Sequence, residues 1–369
     1  MEKEKLKILF LITGLKSGGA ERVMANLSNE FVKIGHMVAI VVMKNAETDY
    51  ELDDRVKFVG ANAVNSKGKN NILKGFRFYI KKVKEFNPDI IVSFLPKTNI
   101  FAVIGKILYF KNIPVITCER ANPASRKGVI KFLNDKLFVK ADGCAFQTNE
   151  AKEYYNIKDI KKTCILKNPI SNEFCVERYN GERKKEIVTA GRLYEQKNHA
   201  LLIKAFSKIA NKYVDYKLII YGEGPLKRDL IDLSNSLGLS NRVKFPGRVD
   251  NINEKIYDAS IFVLSSDFEG MPNSLLEAMA LGLPVVSTDC PPGGTKSIIN
   301  NYENGVLVPV GDIDKMARSM ERVIIDKEFA EKIGKNASSI QNEYSRENVI
   351  NEWENFIYRI FENFINGRK

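Results

Sequence analysis

Short runs of aliphatic residues alternate with amphipathic segments along most of the chain. KILFLITG reads as a buried strand, RVMANLSNEFVKIG as a helix with apolar residues at helical spacing, and HMVAIVVM as a second strand. PDIIVSFL, PVITCE and GCAFQT follow as further short strands, each leading into helical pattern. Continuous Ile/Val/Leu runs joined by helical crossovers predict a parallel sheet covered on both faces. After the polar stretch SNEFCVERYNGERKKE at 171–186 the rhythm restarts. EIVTAGRL, YKLIIYG, RVKFPG, IFVLSS, LPVVST and NGVLVP are six more strand candidates, the first of them separated by HALLIKAFSKIANKY and PLKRDLIDLSNSLG. The pattern therefore predicts two doubly wound α/β domains, with Asn168-Pro169 at the edge of a hinge. The expected boundaries are 1–170, 171–345 and a closing helix at 346–369. Val349, Trp353, Phe356, Ile357, Ile360 and Phe361 form an apolar stripe on that helix which needs a partner surface, expected on the first domain.

A length of 369 residues and 44% hydrophobic composition fit two ordinary globular domains. Charge changes the picture more. Residues 1–180 hold 31 Lys and Arg against 19 Asp and Glu, whereas residues 181–369 hold 26 of each. Between 55 and 140 the ratio reaches 18 to 4. Such an excess is compatible with a solvated basic surface or with a domain facing a polyanion or an anionic membrane. No nucleic-acid motif accompanies it, so nucleic acid is not expected as a partner. Five cysteines without CxxC spacing predict reduced thiols, and two distant histidines, His36 and His199, make a histidine metal site or triad unexpected. The start, MEKEKLKILFLITGLKSGGA, has an outline like a signal peptide. Glu2 and Glu4 are wrong for its charged end, and 8–15 reads equally as a strand. The longest membrane-span candidate, 90–110, is interrupted by Lys97, Asn99 and Lys106. The expected location is cytoplasmic, peripheral to a membrane at most.

Ligands of open parallel sheets sit beyond the carboxyl ends of strands, where glycine loops enter helices. TGLKSGGAER at 13–22 offers Gly18 and Gly19, and YGEGP at 221–225 offers Gly222. Neither loop matches GxGxxG, and no GxxxxGK[ST] occurs, which speaks against a nicotinamide fold and a P-loop NTPase. GRLYEQKN at 191–198 adds Arg192 and Lys197, two cations suited to two phosphates or else to ordinary surface charge, with Asn198 as a helix cap. In FEGMPNSLLE, Glu269 lies in a loop and Glu277 about one turn into a helix that Pro272 starts. That geometry disfavours an acid/base dyad. Asp312 and Asp314 resemble a DxD pair but stand where a helix N-cap is expected, so no metal site is predicted. Carboxylates accepting from vicinal sugar hydroxyls fit the two glutamates better. Between them, the backbone N–H groups of 270–273 would face an anion.

GRL-x4-N with its lysine, followed by E-x7-E in FEGMPNSLLEAMALGLPVV, resembles the retaining GT4 glycosyltransferases. SGGAERVMANLSNEF, GEGP and FPGR fall in the same order, so the resemblance runs the whole length. SFLPKTNIFA and ITCERANP are similar to bacterial members acting on lipid-linked glycans and exopolysaccharides. The resemblance implies a GT-B fold, two Rossmann-like domains facing across a cleft with a C-terminal helix crossing back. It implies transfer of a hexose or N-acetylhexosamine (GalNAc, GlcNAc or Gal) from a UDP-sugar to a polyprenyl-diphosphate-linked saccharide in surface-glycan synthesis, without a metal. Glu277 would accept from the ribose diol and Glu269 from the donor sugar, with Gly270, Met271, Pro272 and Asn273 lining the site. Arg192 and Lys197 would neutralise the diphosphate, Gly18, Gly19 and Gly222 would approach it, and Arg248 with Val249 would hold the base. Where many relatives carry a histidine, TCERANP carries Arg120, which cannot act as a base and is expected on a phosphate. A UDP-sugar epimerase of the same fold, and a non-catalytic membrane- or polyanion-binding protein, are the alternatives. Nucleotide-sugar interconversion without acceptor, or failure to bind any nucleotide, would reveal them.

Overall fold

The structure, a computed structural model, describes residues 4–16, 18–61 and 69–368. The beginning of the signal-peptide-like stretch and Ser17 of the glycine loop lie outside those residues. The chain forms two compact units, Met1–Pro169 with Glu347–Lys369, and Ile170–Arg346.

The first unit contains β1 (Lys7–Ile12), β2 (Met37–Val42), β3 (Lys57–Gly60), β4 (Ile90–Phe94), β5 (Val115–Cys118), β6 (Gly143–Phe146) and β7 (Thr163–Ile165). They form a parallel sheet in the order β3-β2-β1-β4-β5-β6-β7. The continuous apolar run of β1 has a direct packing cause. Ile8, Phe10 and Ile12 enter one core, while Leu9 and Leu11 enter the other core on the opposite face. β3 and β7, at the two edges, are the strands that the hydrophobic pattern does not reveal; each has only three or four residues.

The closing helix, Arg346–Asn366, belongs to this unit from Glu347 onward, and the unit supplies the partner its apolar stripe needed. Val349, Trp353, Phe356, Ile357 and Ile360 join Ile8, Phe10 and Ile12 in one buried cluster. The Trp353 ring lies 5.6 Å from Phe94, and its Nε1 donates to Lys167 O at 3.3 Å. Gly143 makes room for Ile360, whose Cγ1 would stand 2.8 Å from an added Cβ.

The second unit contains β8 (Lys184–Ala190), β9 (Lys217–Tyr221), β10 (Val243–Gly247), β11 (Ala259–Leu264), β12 (Val285–Asp289) and β13 (Val306–Pro309). All six are the strands the pattern predicts, in the order β10-β9-β8-β11-β12-β13. Ile261 and Val263 of β11 face one core, Phe262 and Leu264 the other. The strand order reverses between β8 and β11, and in the first unit between β1 and β4. Such reversals open a crevice at the carboxyl ends, because successive crossovers leave to opposite faces of the sheet.

Candidate functional site

In the second unit the loops after β8 and β11 leave neighbouring strands at that reversal and are stitched together. Asp267 N donates to Gln196 O at 2.9 Å, and Gln196 Nε2 to Phe268 O at 2.8 Å. Ser265 Oγ donates to Lys197 O at 2.9 Å, and Asn198 Nδ2 to Asp267 Oδ1 at 2.7 Å. Asn198 sits at φ 42°, a left-handed value that asparagine tolerates, and its side chain accepts from Leu201 N as the predicted cap of the His199–Ala210 helix.

This stitching places Lys197 Nζ 2.5 Å from Glu269 Oε1, and Ser266 Oγ donates to the same oxygen at 2.8 Å. The two charged side chains keep only 13% and 9% of their surface. Behind them His199 is buried; burial first, then the Lys197 charge, pushes its imidazole down to about 4, so it is neutral at physiological pH. Arg192 stands exposed at the loop's start, its guanidinium 5.3 Å from the Tyr194 ring centre. Glu277 is buried on the Asn273–Ala280 helix. That helix begins one residue later than expected, with Pro272 at its N-cap and the Pro272 carbonyl accepting from Leu275 N and Leu276 N at 3.1 Å. Met271 is buried in the core beside it.

Glycines set the spacing of these loops. Gly222, at φ 136°, lies against the loop after β8, where an added Cβ would stand 1.9 Å from Gly191 O. Leu193 N donates to Glu223 O at 2.9 Å, binding GRL to GEGP. Pro225 occupies a turn ahead of the helix Lys227–Ser236. Arg248 and Val249 directly follow β10, Arg248 exposed and Val249 packed on the core.

Sequence reasoning missed the loop after β12. Pro291 O accepts from Glu269 N at 2.9 Å, and an added Cβ at Gly294 would stand 1.3 Å from Gly270 O. Pro-Pro-Gly-Gly at 291–294, directly after an apolar strand run, was the available signal. Asp312 accepts from Lys315 N at 2.8 Å as the expected cap, while Asp314 pairs with Lys208 at 2.8 Å.

In the first unit, Gly18 precedes the Gly19–Lys33 helix. Its N–H donates to the Tyr50 hydroxyl, which donates back to Gly18 O, both at 2.8 Å, so this amide is already engaged. Arg120 follows β5. Its guanidinium lies 4.8 Å from the Phe94 ring centre and donates to Asn168 Oδ1 at 2.6 Å. Burial lowers it to about 10 without discharging it. Glu119 precedes Arg120 at the end of β5. It is buried, ion-paired with Arg126, and accepts from the Tyr155 hydroxyl at 2.7 Å. Among the described residues no helix is long and apolar enough to cross a membrane.

Two family models match the chain: "Glycosyltransferase Family 4" over residues 17–158 and "Glycosyl transferases group 1" over residues 176–339. The chain is 29% identical over 364 residues to a Campylobacter jejuni alpha-1,4-N-acetyl-D-galactosaminyltransferase named for GalNAc-alpha-(1->4)-GalNAc-alpha-(1->3)-diNAcBac-PP-undecaprenol. That match covers 96% of this chain and 99% of the relative. Among solved structures, sucrose-phosphate synthase of Thermosynechococcus elongatus superposes with a TM-score of 0.84 at 16% identity, over 97% of this chain and 100% of that one. Anabaena HepE in complex with UDP-glucose gives 0.78 at 16% identity, over 96% and 99%. These two likenesses show the GT-B fold.

Proposed function

We propose that this chain, which belongs to the family 4 glycosyltransferases and is a retaining hexosyltransferase, moves an N-acetylhexosamine or galactose from a UDP-sugar to a polyprenyl-diphosphate-linked saccharide. The observation that carries the donor half is the meeting of Lys197 and Glu269 at the β8/β11 reversal, a cation beside a carboxylate where a ligand crevice opens. A nucleotide sugar asks for that combination: cations for the diphosphate, carboxylates for hydroxyls. In this reading Lys197 and Arg192 neutralise the diphosphate, Glu269 accepts from the sugar hydroxyls, and Glu277 accepts from the ribose diol. Gly270, Met271, Pro272 and Asn273 line the sugar, Gly222 keeps the phosphate side open, and Arg248 with Val249 flank the base. Gly18 and Gly19 stand at the first unit's own glycine loop, and Arg120 contributes positive charge there.

Chemically, the anomeric carbon breaks its bond to the UDP β-phosphate oxygen and bonds the acceptor hydroxyl oxygen with retained configuration. The acceptor proton passes to the leaving phosphate. Lys197 and Arg192 stabilise charge that grows on the leaving group, an electrostatic contribution that requires no reorganisation at the moment of reaction. The acceptor class is supported by the Campylobacter relative's name and by the basic first unit. An acceptor on a polyprenyl diphosphate places the work at the cytoplasmic face of a membrane, with the basic unit turned to its anionic surface.

The test is a panel of UDP- and GDP-sugars with a lipid-diphosphate saccharide, read by product mass and anomeric configuration. An α-linked product from one UDP-sugar supports the proposal; interconversion of the nucleotide sugar without acceptor, or transfer only from GDP-sugars, overturns it.

A further inference from the structure

The first unit has a cavity of about 800 Å³ at the carboxyl ends of β1, β2 and β4, beside its own strand-order reversal. Three lysines on its lining come from three separate elements. Lys44 follows β2, Lys97 is in the first turn of the Pro96–Leu108 helix, and Lys127 caps the Gly128–Phe138 helix. None of the three has an acidic partner among the described residues. The other cations of the lining are committed. Lys16 pairs with Glu47, and Arg126 is held by Glu119 with its Nη1 donating to the Tyr155 hydroxyl at 3.0 Å. Gly14 lets the Lys44 stem lie across the loop after β1, since an added Cβ would meet Lys44 Cδ at 3.1 Å.

One side of this cation cluster is apolar. Ile130 lines the cavity, and beyond it the Gly128–Phe138 helix exposes Val129 at 72% and Phe132 at 58%. Three cations without acidic partners on the lining of one cavity, which also carries Glu21, stand beside an exposed apolar helix face and match a ligand that is anionic at one point and a hydrocarbon next to it. A free nucleotide diphosphate has no use for the apolar side, and a simple anionic membrane surface has no use for a cavity.

We propose that Lys44, Lys97 and Lys127 form the subsite for the diphosphate of the lipid-linked acceptor, with the Ile130, Val129 and Phe132 side receiving the first isoprenoid units. This rests on the acceptor class proposed above. The saccharide occupies the remaining cavity, and Arg126, fixed by Glu119, forms its charged floor.

The experiment uses the full chain with Lys44→Gln, Lys97→Gln, Lys127→Gln and the triple variant, checked for unchanged thermal unfolding. Acceptors are a short-chain, detergent-free isoprenyl diphosphate saccharide and its monophosphate analogue. The expected result is a rise of about 3- to 10-fold per lysine in KM for the diphosphate acceptor, given solvent screening at exposed side chains. The KM for donor and the binding of UDP stay unchanged, and the triple variant loses the preference for diphosphate over monophosphate. A rise in donor KM with acceptor KM unchanged would assign the cavity to the donor and overturn the proposal. Unchanged kinetics would leave the lysines as solvated surface and overturn it equally. A wild-type chain that uses a different, non-lipid acceptor overturns the acceptor class itself, and with it the subsite.

Discussion

Glu269→Gln removes one charge from the loop after β11 and keeps its shape, and two opposite effects are expected. In the structure Lys197 is bound to Glu269 at 2.5 Å, in a setting where the two side chains retain 13% and 9% of their surface. At an effective dielectric of about 20 the gross attraction is roughly 6–7 kcal/mol. Desolvation of both ions offsets most of it, leaving a net contribution on the order of 1–2 kcal/mol. In the proposed donor reading a diphosphate draws Lys197 out of that pair. With glutamine in place the lysine is released and a nearby negative charge is gone, so UDP should bind about 5- to 30-fold more tightly. The intact donor loses a charged acceptor for its sugar hydroxyls, an interaction of about 1.5–3 kcal/mol. Because the donor's diphosphate shares the gain from releasing Lys197, kcat/KM should fall about 10- to 150-fold short of the increase in UDP affinity. Calorimetric titration of UDP and steady-state transfer, at one pH and ionic strength, read the two effects separately. Equal or weaker UDP binding by the variant would refute the restraint on Lys197. Transfer that rises in proportion to UDP affinity would refute the sugar role of Glu269.

Gly294→Ala should displace the loop after β12 from Gly270 O, 1.3 Å from the added Cβ, at a cost of about 1–3 kcal/mol; thermal unfolding with and without UDP would show lower stability and less stabilisation by ligand. His199, lowered from 6.5 to about 4, makes the unfolded chain the better proton binder between those values. Its contribution is complete above about pH 6.5 and is lost as pH falls towards 4, roughly 3 kcal/mol in all. Urea unfolding across that range should be less pH-dependent in His199→Gln, and an identical dependence would contradict the assignment. Arg120→Ala should raise a Michaelis constant if its guanidinium serves a phosphate. Unchanged turnover and Michaelis constants would leave only its contacts with Asn168 and Phe94.

The central strands were readable because both of their faces are covered. In β1 and β11 alternate residues serve two different cores, so the apolar run has no polar interruption. β3 and β7 escaped for the opposite reason, being edge strands too short to carry a pattern. The closing helix announced its stripe from Val349 to Phe361, and the cluster around Phe94 and Trp353 supplies what that stripe required.

At the site, residue types were legible and pairings were not. Lys197 and Glu269 are 72 residues apart, and their meeting follows from strand order, a property that no local window contains. The same holds for Gly294 against Gly270 and for the engagement of the Gly18 amide by Tyr50. The two glutamates of FEGMPNSLLE illustrate the consequence. Glu269, in the loop, faces a lysine delivered by the neighbouring strand, whereas Glu277 rides on the helix that Pro272 caps. Equal residue types eight positions apart thus meet unequal surroundings. In the proposed donor site, a cation-paired carboxylate beside the crevice would exchange its lysine for a sugar hydroxyl when a diphosphate arrives, and that exchange would couple binding of the phosphate to orientation of the sugar.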